Sequence, residues 1–211
     1  MPTMRRLGYL VVFLLGSTAL TQTKNQTIWE PPDGQFPKNV KATVPKEMLS
    51  TLRVANYPIK LERTTMIDVA KHFGATIDSK GDAAEYYQWL CFLGGNPSDR
   101  WVLWLESGEI DGGNVSSFEW HRIPAAAVID NRCVPLQEAP QLPLPLHLGM
   151  ASAQVLKVLG PPSWRSQERL IYMHGHQVTI RGDVNDSSNI VDIDLHAGIV
   201  QAISVSKMTS S

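Results

Sequence analysis

The chain has 211 residues, of which 43% are hydrophobic and 18% are charged, and its formal net charge is −1. This composition is typical of a folded globular protein with enough material for one domain or two small ones. Proteins that bind nucleic acids concentrate Lys and Arg to neutralise phosphates, whereas the 19 basic residues here are scattered. The composition therefore argues against a nucleic-acid partner.

The first residues have the pattern of a removable signal peptide. Arg5 and Arg6 precede the apolar run LGYLVVFLLG, and small residues, Ser17 and Ala19, stand where a cleavage site requires them. The run is about half of the ~20 residues that span a bilayer, so we expect no membrane span after cleavage. Residues 1–19 are assigned to the signal peptide, and the mature protein is expected in the periplasm or outside the cell.

Export affects how the two cysteines are interpreted. Cys91 and Cys133 are the only ones in the chain, and an even number in an oxidising compartment favours a disulfide. Such a bridge would stabilise the fold by about 4 kcal/mol in the chain-entropy model. Two buried free thiols are the alternative.

After a polar, Pro-rich lead-in at residues 20–54, in which Pro45–Val54 has the spacing of one short helix, two similar helical patterns occur. They are PIKLERTTMIDVAKHFG and PLHLGMASAQVLKVLG, and each ends in a glycine suited to a helix C-terminus. Alternating strand patterns follow both: EYYQWLCFLGG, RWVLWLESG and VSSFEWHRI after the first, and RLIYMHG, HQVTIRG, VDIDLHAG and IVQAISVS after the second. We predict an α+β fold of two tandem units, each a helix plus an antiparallel meander, at residues 55–132 and 146–211, joined by a Pro-rich linker at 133–145.

The segment GMASAQVLKVLGPP resembles the hallmark of the BamE (SmpA/OmlA) family of envelope proteins. The residues that match this pattern are Gly149, Met150, Val155, Leu159, Gly160 and Pro162. Two such units in tandem resemble the β-lactamase inhibitor proteins. The resemblance implies a bacterial envelope protein that binds another envelope or secreted protein without catalysis, as an inhibitor, an immunity-type factor or an assembly accessory. A structural envelope component is an alternative.

Aromatic residues are dense in the first group of strands, and Trp and Tyr dominate protein-binding surfaces. Six of them are predicted as anchors of an exposed binding surface: Tyr86, Tyr87, Trp89, Trp101, Trp104 and Trp120. Core packing is the alternative for the same rings. The loop ESGEIDGG, with Glu106, Glu109 and Asp111, is a further candidate recognition tip, although turn chemistry alone explains its composition.

A second candidate site combines histidines and carboxylates. Strand alternation places Asp192, Asp194 and His196 on one face, and His174 and His176 share a face of an earlier strand. If those strands are neighbours, the five groups could form a metal or acid–base site, which would make the protein a metal-dependent or hydrolytic enzyme. The other interpretation is a solvated sheet face. Because no HExxH, Gly-x-Ser-x-Gly or phosphate-loop motif is present, we expect no enzyme and no cofactor.

Overall fold

The computed structural model describes residues 28–32, 36–82, 86–108, 111–180 and 182–210. The predicted signal peptide and Glu109 lie outside these residues. Within them, no helix is long and apolar enough to cross a membrane.

The described chain forms eleven strands and two short helices. In chain order they are β1 (Thr51–Val54), β2 (Tyr57–Lys60), α1 (Met66–Phe73), β3 (Asp78–Lys80), β4 (Tyr87–Asn96), β5 (Asp99–Gly108), β6 (Ser117–Ile123), β7 (Val134–Pro135), α2 (Ser152–Leu159), β8 (Trp164–Arg165), β9 (Arg169–Ile180), β10 (Asp183–His196) and β11 (Ile199–Ser210).

The predicted fold class, two tandem α+β units, is wrong. Strands account for 49% of the structure and helices for only 10%. Nine strands form one sheet in the order β3-β4-β5-β6-β11-β10-β9-β8, with β7 beside β4. The two groups of strands meet where β6 pairs antiparallel with β11, in the register Phe118↔Val205 and Trp120↔Ile203. The fold is therefore built on one mostly antiparallel sheet that crosses the predicted boundary between units.

Two faces of this sheet have different coverings. On the core face, side chains such as Leu103, Trp120, Ile203 and Tyr172 belong to one apolar cluster, which also includes residues of both helices and of the β1–β2 hairpin. On the opposite side, the outer face, a smaller cluster beside β4 and β5 contains Trp89 and Trp104. The remaining outer face, across β6, β11 and β10, carries mostly polar side chains.

Both helices lie within the predicted helical patterns, although the first pattern begins in strand β2 and α1 starts only at Met66. Thr65 caps α1, since its side chain accepts a hydrogen bond from the Asp68 N–H, and Gly74 ends the helix with a left-handed φ of 64°. The predicted hairpin between β10 and β11 is also confirmed, as His196 pairs with Ile199. Its two-residue turn has positive φ at Ala197 and Gly198, as a tight hairpin requires.

Two local predictions are wrong. The segment expected to form a helix at Pro45–Val54 ends in strand β1, because Leu52 and Val54 alternate inward and pair with β2. The break expected between RLIYMHG and HQVTIRG is absent, and β9 continues through Gly175. A Cβ there would lie 3.3 Å from Ala42, so this glycine serves the close approach of a neighbouring segment.

Residues 28–32 and 36–54 of the lead-in are more ordered than their composition suggests. Trp29 is buried beside the outer-face cluster, and Leu49 is fully buried in the core cluster. The Ile28 N–H donates to the Val128 carbonyl at 2.8 Å, which ties the start of the described chain to the segment after β6. These residues therefore form part of the packed structure.

The predicted disulfide is confirmed, because Cys91 and Cys133 are bonded. Cys91 lies on the outer face of β4, and the residue after Cys133 begins β7, which pairs parallel with β4 at Phe92. The bridge thus fastens the segment after β6 to the opposite end of the sheet.

Breaking this bridge should destabilise the protein. For a sequence separation of 42 residues, the chain-entropy model predicts a loss of about 4 kcal/mol in the free energy of unfolding. Urea unfolding followed by fluorescence, with and without dithiothreitol, measures the loss. The variant with Cys91→Ala and Cys133→Ala is the control, since reductant should leave its unfolding curve unchanged. Identical curves for the wild type in both conditions would contradict the structural role of the bridge.

Candidate functional site

The four tryptophans predicted as exposed anchors are buried instead. Trp89, Trp101, Trp104 and Trp120 have exposed fractions of 1–5%. Trp101 packs edge-on against Trp120 on the core face and lies over Gly94, where a Cβ would collide with its ring. These four rings are therefore packed in the interior, which was the alternative interpretation.

Two segments, one at Trp29 and one at Asp130–Arg132, cover the outer face and explain the burial of its tryptophans. The Trp104 Nε1–H donates to the Trp29 carbonyl at 3.0 Å, and the Trp29 ring contacts Trp89 edge-on. The Arg132 guanidinium stacks 3.6 Å from the centre of the Trp29 ring and pairs with Asp130. Residues far apart in sequence thus close over this half of the face.

The two predicted tyrosines are the exception, as both are half-buried. The Tyr86 hydroxyl accepts a hydrogen bond from the Gln88 side chain at 2.8 Å, and the Tyr87 ring lies tilted against Trp89. Each is thus held by a neighbour within the sheet, and the six aromatic residues do not form one exposed surface.

The predicted His/Asp site is split between the two faces. Register places His174 opposite Asn189 and His176 opposite Ser187, on the core face. Asp192 lies opposite Ser204, which places it and Asp194 on the outer face. His196 is exposed beyond a register shift at Leu195. Within the described ranges, no three His, Cys, Asp or Glu side chains gather as a metal site would require.

The outer face instead carries a cluster of charged side chains from β6, β9 and β10. The sequence patterns did not predict that these side chains lie together. The Arg169 Nε donates to Asp192 at 2.8 Å, and the His121 ring lies 3.0 Å from the Glu119 carboxylate. Arg169, Asp192 and Glu119 line a pocket of about 220 Å³, together with Ser117, Ser204, Ser206 and Phe36, which is 43% exposed. Burial, followed by the charge of Asp192, raises the pKa of Asp194.

Glu106 lies on the neighbouring strand β5, opposite Ser117, and does not line the pocket. Burial, followed by the nearby Glu119 carboxylate, raises the pKa of Glu106 to about 8, while a hydrogen bond from Ser117 acts in the opposite direction. Its Oε1 atom is buried and has no hydrogen-bond partner among the described residues. The protonated carboxyl is therefore the favoured form at neutral pH. As a result, the free energy of unfolding depends on pH.

A larger concavity lies at the other end of β9 and β10, on the core face. This distal cleft has a volume of about 600 Å³, within the range of ligand sites. Its walls are the turn at Lys60–Arg63, the loop residues Asp111 and Asn114, and the ends of β9, β10 and β11, which contribute His176, Val178, Thr179, Ile180, Asn185, Ser187, Lys207 and Thr209.

One border of the distal cleft is an unpaired strand edge. β8 pairs with β9 only at Leu170 and Ile171. Farther along, the Met173 carbonyl accepts hydrogen bonds from the Thr43 and Val44 N–H groups at 3.1 Å. From Gly175 to Ile180 β9 has a strand neighbour on one side only, namely β10, within the described chain. We call these six residues the free edge.

The direction of the backbone groups at the free edge follows from Met173. Its carbonyl and N–H both bond away from β10, to the Thr43 and Val44 amides and to the Ser163 hydroxyl. In a regular antiparallel strand every second residue points the same way. Because the β9–β10 register is continuous, the N–H and C=O groups of Gln177 and Thr179 also point outward.

Sequence patterns alone did not identify this site. HQVTIRG alternates as any strand does, and nothing local to it indicates that its neighbour on one side is missing. The opposite edge shows the contrast, since β4 is covered there by β3 and β7.

Comparisons with protein-family models, curated proteins and solved structures give no match to this chain. The resemblance to BamE and to the β-lactamase inhibitor proteins therefore stays a prediction from the sequence.

The raised pKa of Glu106 predicts how stability depends on pH. Its folded-state value of about 8 lies above the ordinary value of 4.5, so the unfolded chain loses this proton first as the pH rises. The free energy of unfolding should therefore fall as the pH rises from about 4.5 to about 8. Glu106→Gln should remove this contribution, as measured by urea unfolding across the pH range. Glu138→Gln, at an exposed carboxylate, is the control and should keep the wild-type profile. Parallel profiles for Glu106→Gln and wild type would contradict the burial of this carboxyl.

Proposed function

We propose that this protein is a non-catalytic protein-binding module of the bacterial envelope or the secreted fraction. It binds a partner by accepting an extended segment of that partner along the free edge of β9. Inhibition and assembly of envelope components are both served by such binding.

The compartment is supported by two independent features. The N-terminal sequence has the pattern of a signal peptide, and Cys91 is bonded to Cys133. Disulfides persist in oxidising compartments and are rare in the cytosol.

The observation that carries the proposal is the outward direction of the backbone groups at Gln177 and Thr179, which have no strand neighbour on that side within the described chain. Strand addition uses such groups for hydrogen bonds to an extended peptide, and side-chain pockets beside the edge supply specificity. The distal cleft is bordered by this same edge, through His176, Val178 and Ile180. Backbone pairing and side-chain selection are thus available at one place.

Exposed apolar side chains at the same end of the sheet support this site. Ile180, Val184 and Met208 are 47%, 64% and 47% exposed. Large apolar side chains in contact with solvent are common at protein-binding surfaces. Ile180 lies on the core-face side with His176 and Val178, and a partner segment at the free edge would lie beside its exposed side chain.

A proline at the edge tests the proposal directly. Gln177→Pro removes an N–H that points away from β10, so the β9–β10 hydrogen bonds are retained and edge strands tolerate proline. Peptides selected from a displayed random library on the immobilised full chain should lose most of their affinity for this variant. Gln177→Ala keeps the N–H and is the matched control, which should bind as the wild type does in titration calorimetry.

Three results would contradict the proposal. The first is equal peptide affinity for the Pro and Ala variants. The second is selection of peptides whose binding leaves the amide signals of β9 unchanged in nuclear magnetic resonance spectra. The third is a wild-type dimer in analytical ultracentrifugation that Gln177→Pro dissociates, since a second copy of the chain would then occupy the edge.

A further inference from the structure

We infer that the partner segment is short and amphipathic, with apolar side chains on the core-face side of the added strand and polar side chains on the outer-face side. This inference rests on the proposed function and adds the chemistry of the partner. It is carried by Val178 and Ile180, two apolar side chains at the free edge that have only polar residues opposite them on β10.

The surroundings of Val178 and Ile180 differ from those of the rest of β9. Both side chains lie on the core-face side, and the register places Val178 opposite Asn185 and Ile180 opposite Asp183. In the covered half of β9, by contrast, apolar residues stand opposite apolar residues: Leu170 opposite Ile193 and Tyr172 opposite Val191. Val178 is half-buried and Ile180 is 47% exposed. An apolar side chain on the free side of β9 would therefore remove apolar surface of both residues from water.

The side chains of an added strand would lie nearest to those of β9. Residues directly opposite each other on neighbouring strands have side chains on the same face, with Cβ atoms about 5 Å apart. On the core-face side the added residues would contact Val178 and Ile180. On the outer-face side they would contact Gln177 and Thr179, which are polar and exposed. A strand with one apolar and one polar face matches both sides of the edge.

Charge does not select the partner at this edge. The distal cleft contains the two cations of the turn Lys60–Arg63, and the carboxylates of Glu62 and Asp111 offset them. The remaining ammonium group in the lining, that of Lys207, lies 2.8 Å from the Glu47 carboxylate. With histidine counted as neutral, the cleft has no excess charge of either sign. The selection of a segment therefore depends on the cross-strand contacts.

The covered half of β9 limits the length of the segment. A Cβ at Gly175 would lie 3.3 Å from the Ala42 side chain, and the N–H groups of residues 43–44 bond to the Met173 carbonyl. An added strand can therefore pair with His176–Ile180, and it must end or turn away at Ala42. At about 3.4 Å per residue, this stretch is about 17 Å long.

Three seven-residue peptides test the inference. The first alternates Val and Thr, beginning with Val. The second has the same composition in the order Val-Val-Thr-Thr-Val-Val-Thr, so that no two valines are two residues apart and only one can contact the pair Val178 and Ile180. The third contains Thr throughout.

Each peptide is titrated into the isotope-labelled full chain. We expect the alternating peptide to bind about threefold more tightly than the rearranged peptide and about tenfold more tightly than the Thr peptide, as one and two apolar cross-strand pairs would give. Nuclear Overhauser contacts should join its valine methyl groups to the methyl groups of Val178 and Ile180.

Variants locate the effect. Val178→Thr with Ile180→Thr should equalise the affinities for the alternating and rearranged peptides, because both replacements keep a β-branched side chain and remove apolar contact. The matched control is Ile67→Thr with Val128→Thr, which makes the same two replacements at positions that are 70% and 45% exposed and lie outside the free edge. This control should leave the difference between the peptides intact.

The outcomes separate this inference from the proposed function. If all three peptides bind the wild type equally and Gln177→Pro abolishes the binding, the amphipathic preference is overturned and the strand-acceptor function stands. If Val178→Thr with Ile180→Thr keeps the preference for the alternating peptide, the apolar contact lies elsewhere and the inference is likewise overturned. If none of the peptides shifts the amide signals of β9, both are overturned.

Discussion

The pairing of β6 with β11 is the interaction on which the rest of the structure depends. Through the pairs Phe118↔Val205 and Trp120↔Ile203, it joins strands that come from opposite halves of the chain. Without it there would be two small sheets, each with two edges and a narrow apolar face. With it, the apolar side chains of both halves form one core cluster that the helices and the β1–β2 hairpin cover. A larger single core buries more apolar surface per residue than two small ones.

The same pairing determines where the sheet ends. At one end of the sheet, the short strands β3 and β7 cover the outer side of β4. The disulfide fastens the segment that contains β7. At the other end, β8 and residues 43–44 form hydrogen bonds to β9 only as far as Met173, so β9 has no cover from Gly175 onward within the described chain. Natural sheets usually protect long edges because unpaired backbone groups attract other strands. Half of β9 is protected, and the other half is open beside a polar cleft. This arrangement is the one expected of a strand that pairs with a partner outside the chain.

Much of the local structure could be predicted from the sequence because its causes are local. The cap at Thr65, the left-handed Gly74 and the tight turn at Gly198 lie within a few residues of the elements they end. Strand alternation likewise predicts correctly that Asp192 and Asp194 share a face. The pairing of β6 with β11 could not be predicted, since alternation gives the two faces of a strand but does not name its neighbour.

The predictions of the aromatic surface and of the His/Asp site failed for the same reason. His174 and Asp192 fall on opposite faces because the β9–β10 register sets their relative parity, and register is a long-range property. The burial of Trp89 and Trp104 depends on Trp29 and on the segment near Arg132, both distant in sequence. The free edge is the absence of a neighbour within the described chain, for which no residue pattern exists. Only the assembled sheet places the free edge of β9 beside the distal cleft.

Hydrogen exchange at single amides tests the free edge most directly. The structure predicts alternating protection along the end of β9, with slow exchange at His176 and Val178, which bond to β10, and fast exchange at Gln177 and Thr179. Addition of a bound segment should then slow exchange at these two outward amides. Slow exchange at all four in the isolated monomer would mean that the edge is already occupied, and it would contradict the proposed binding site.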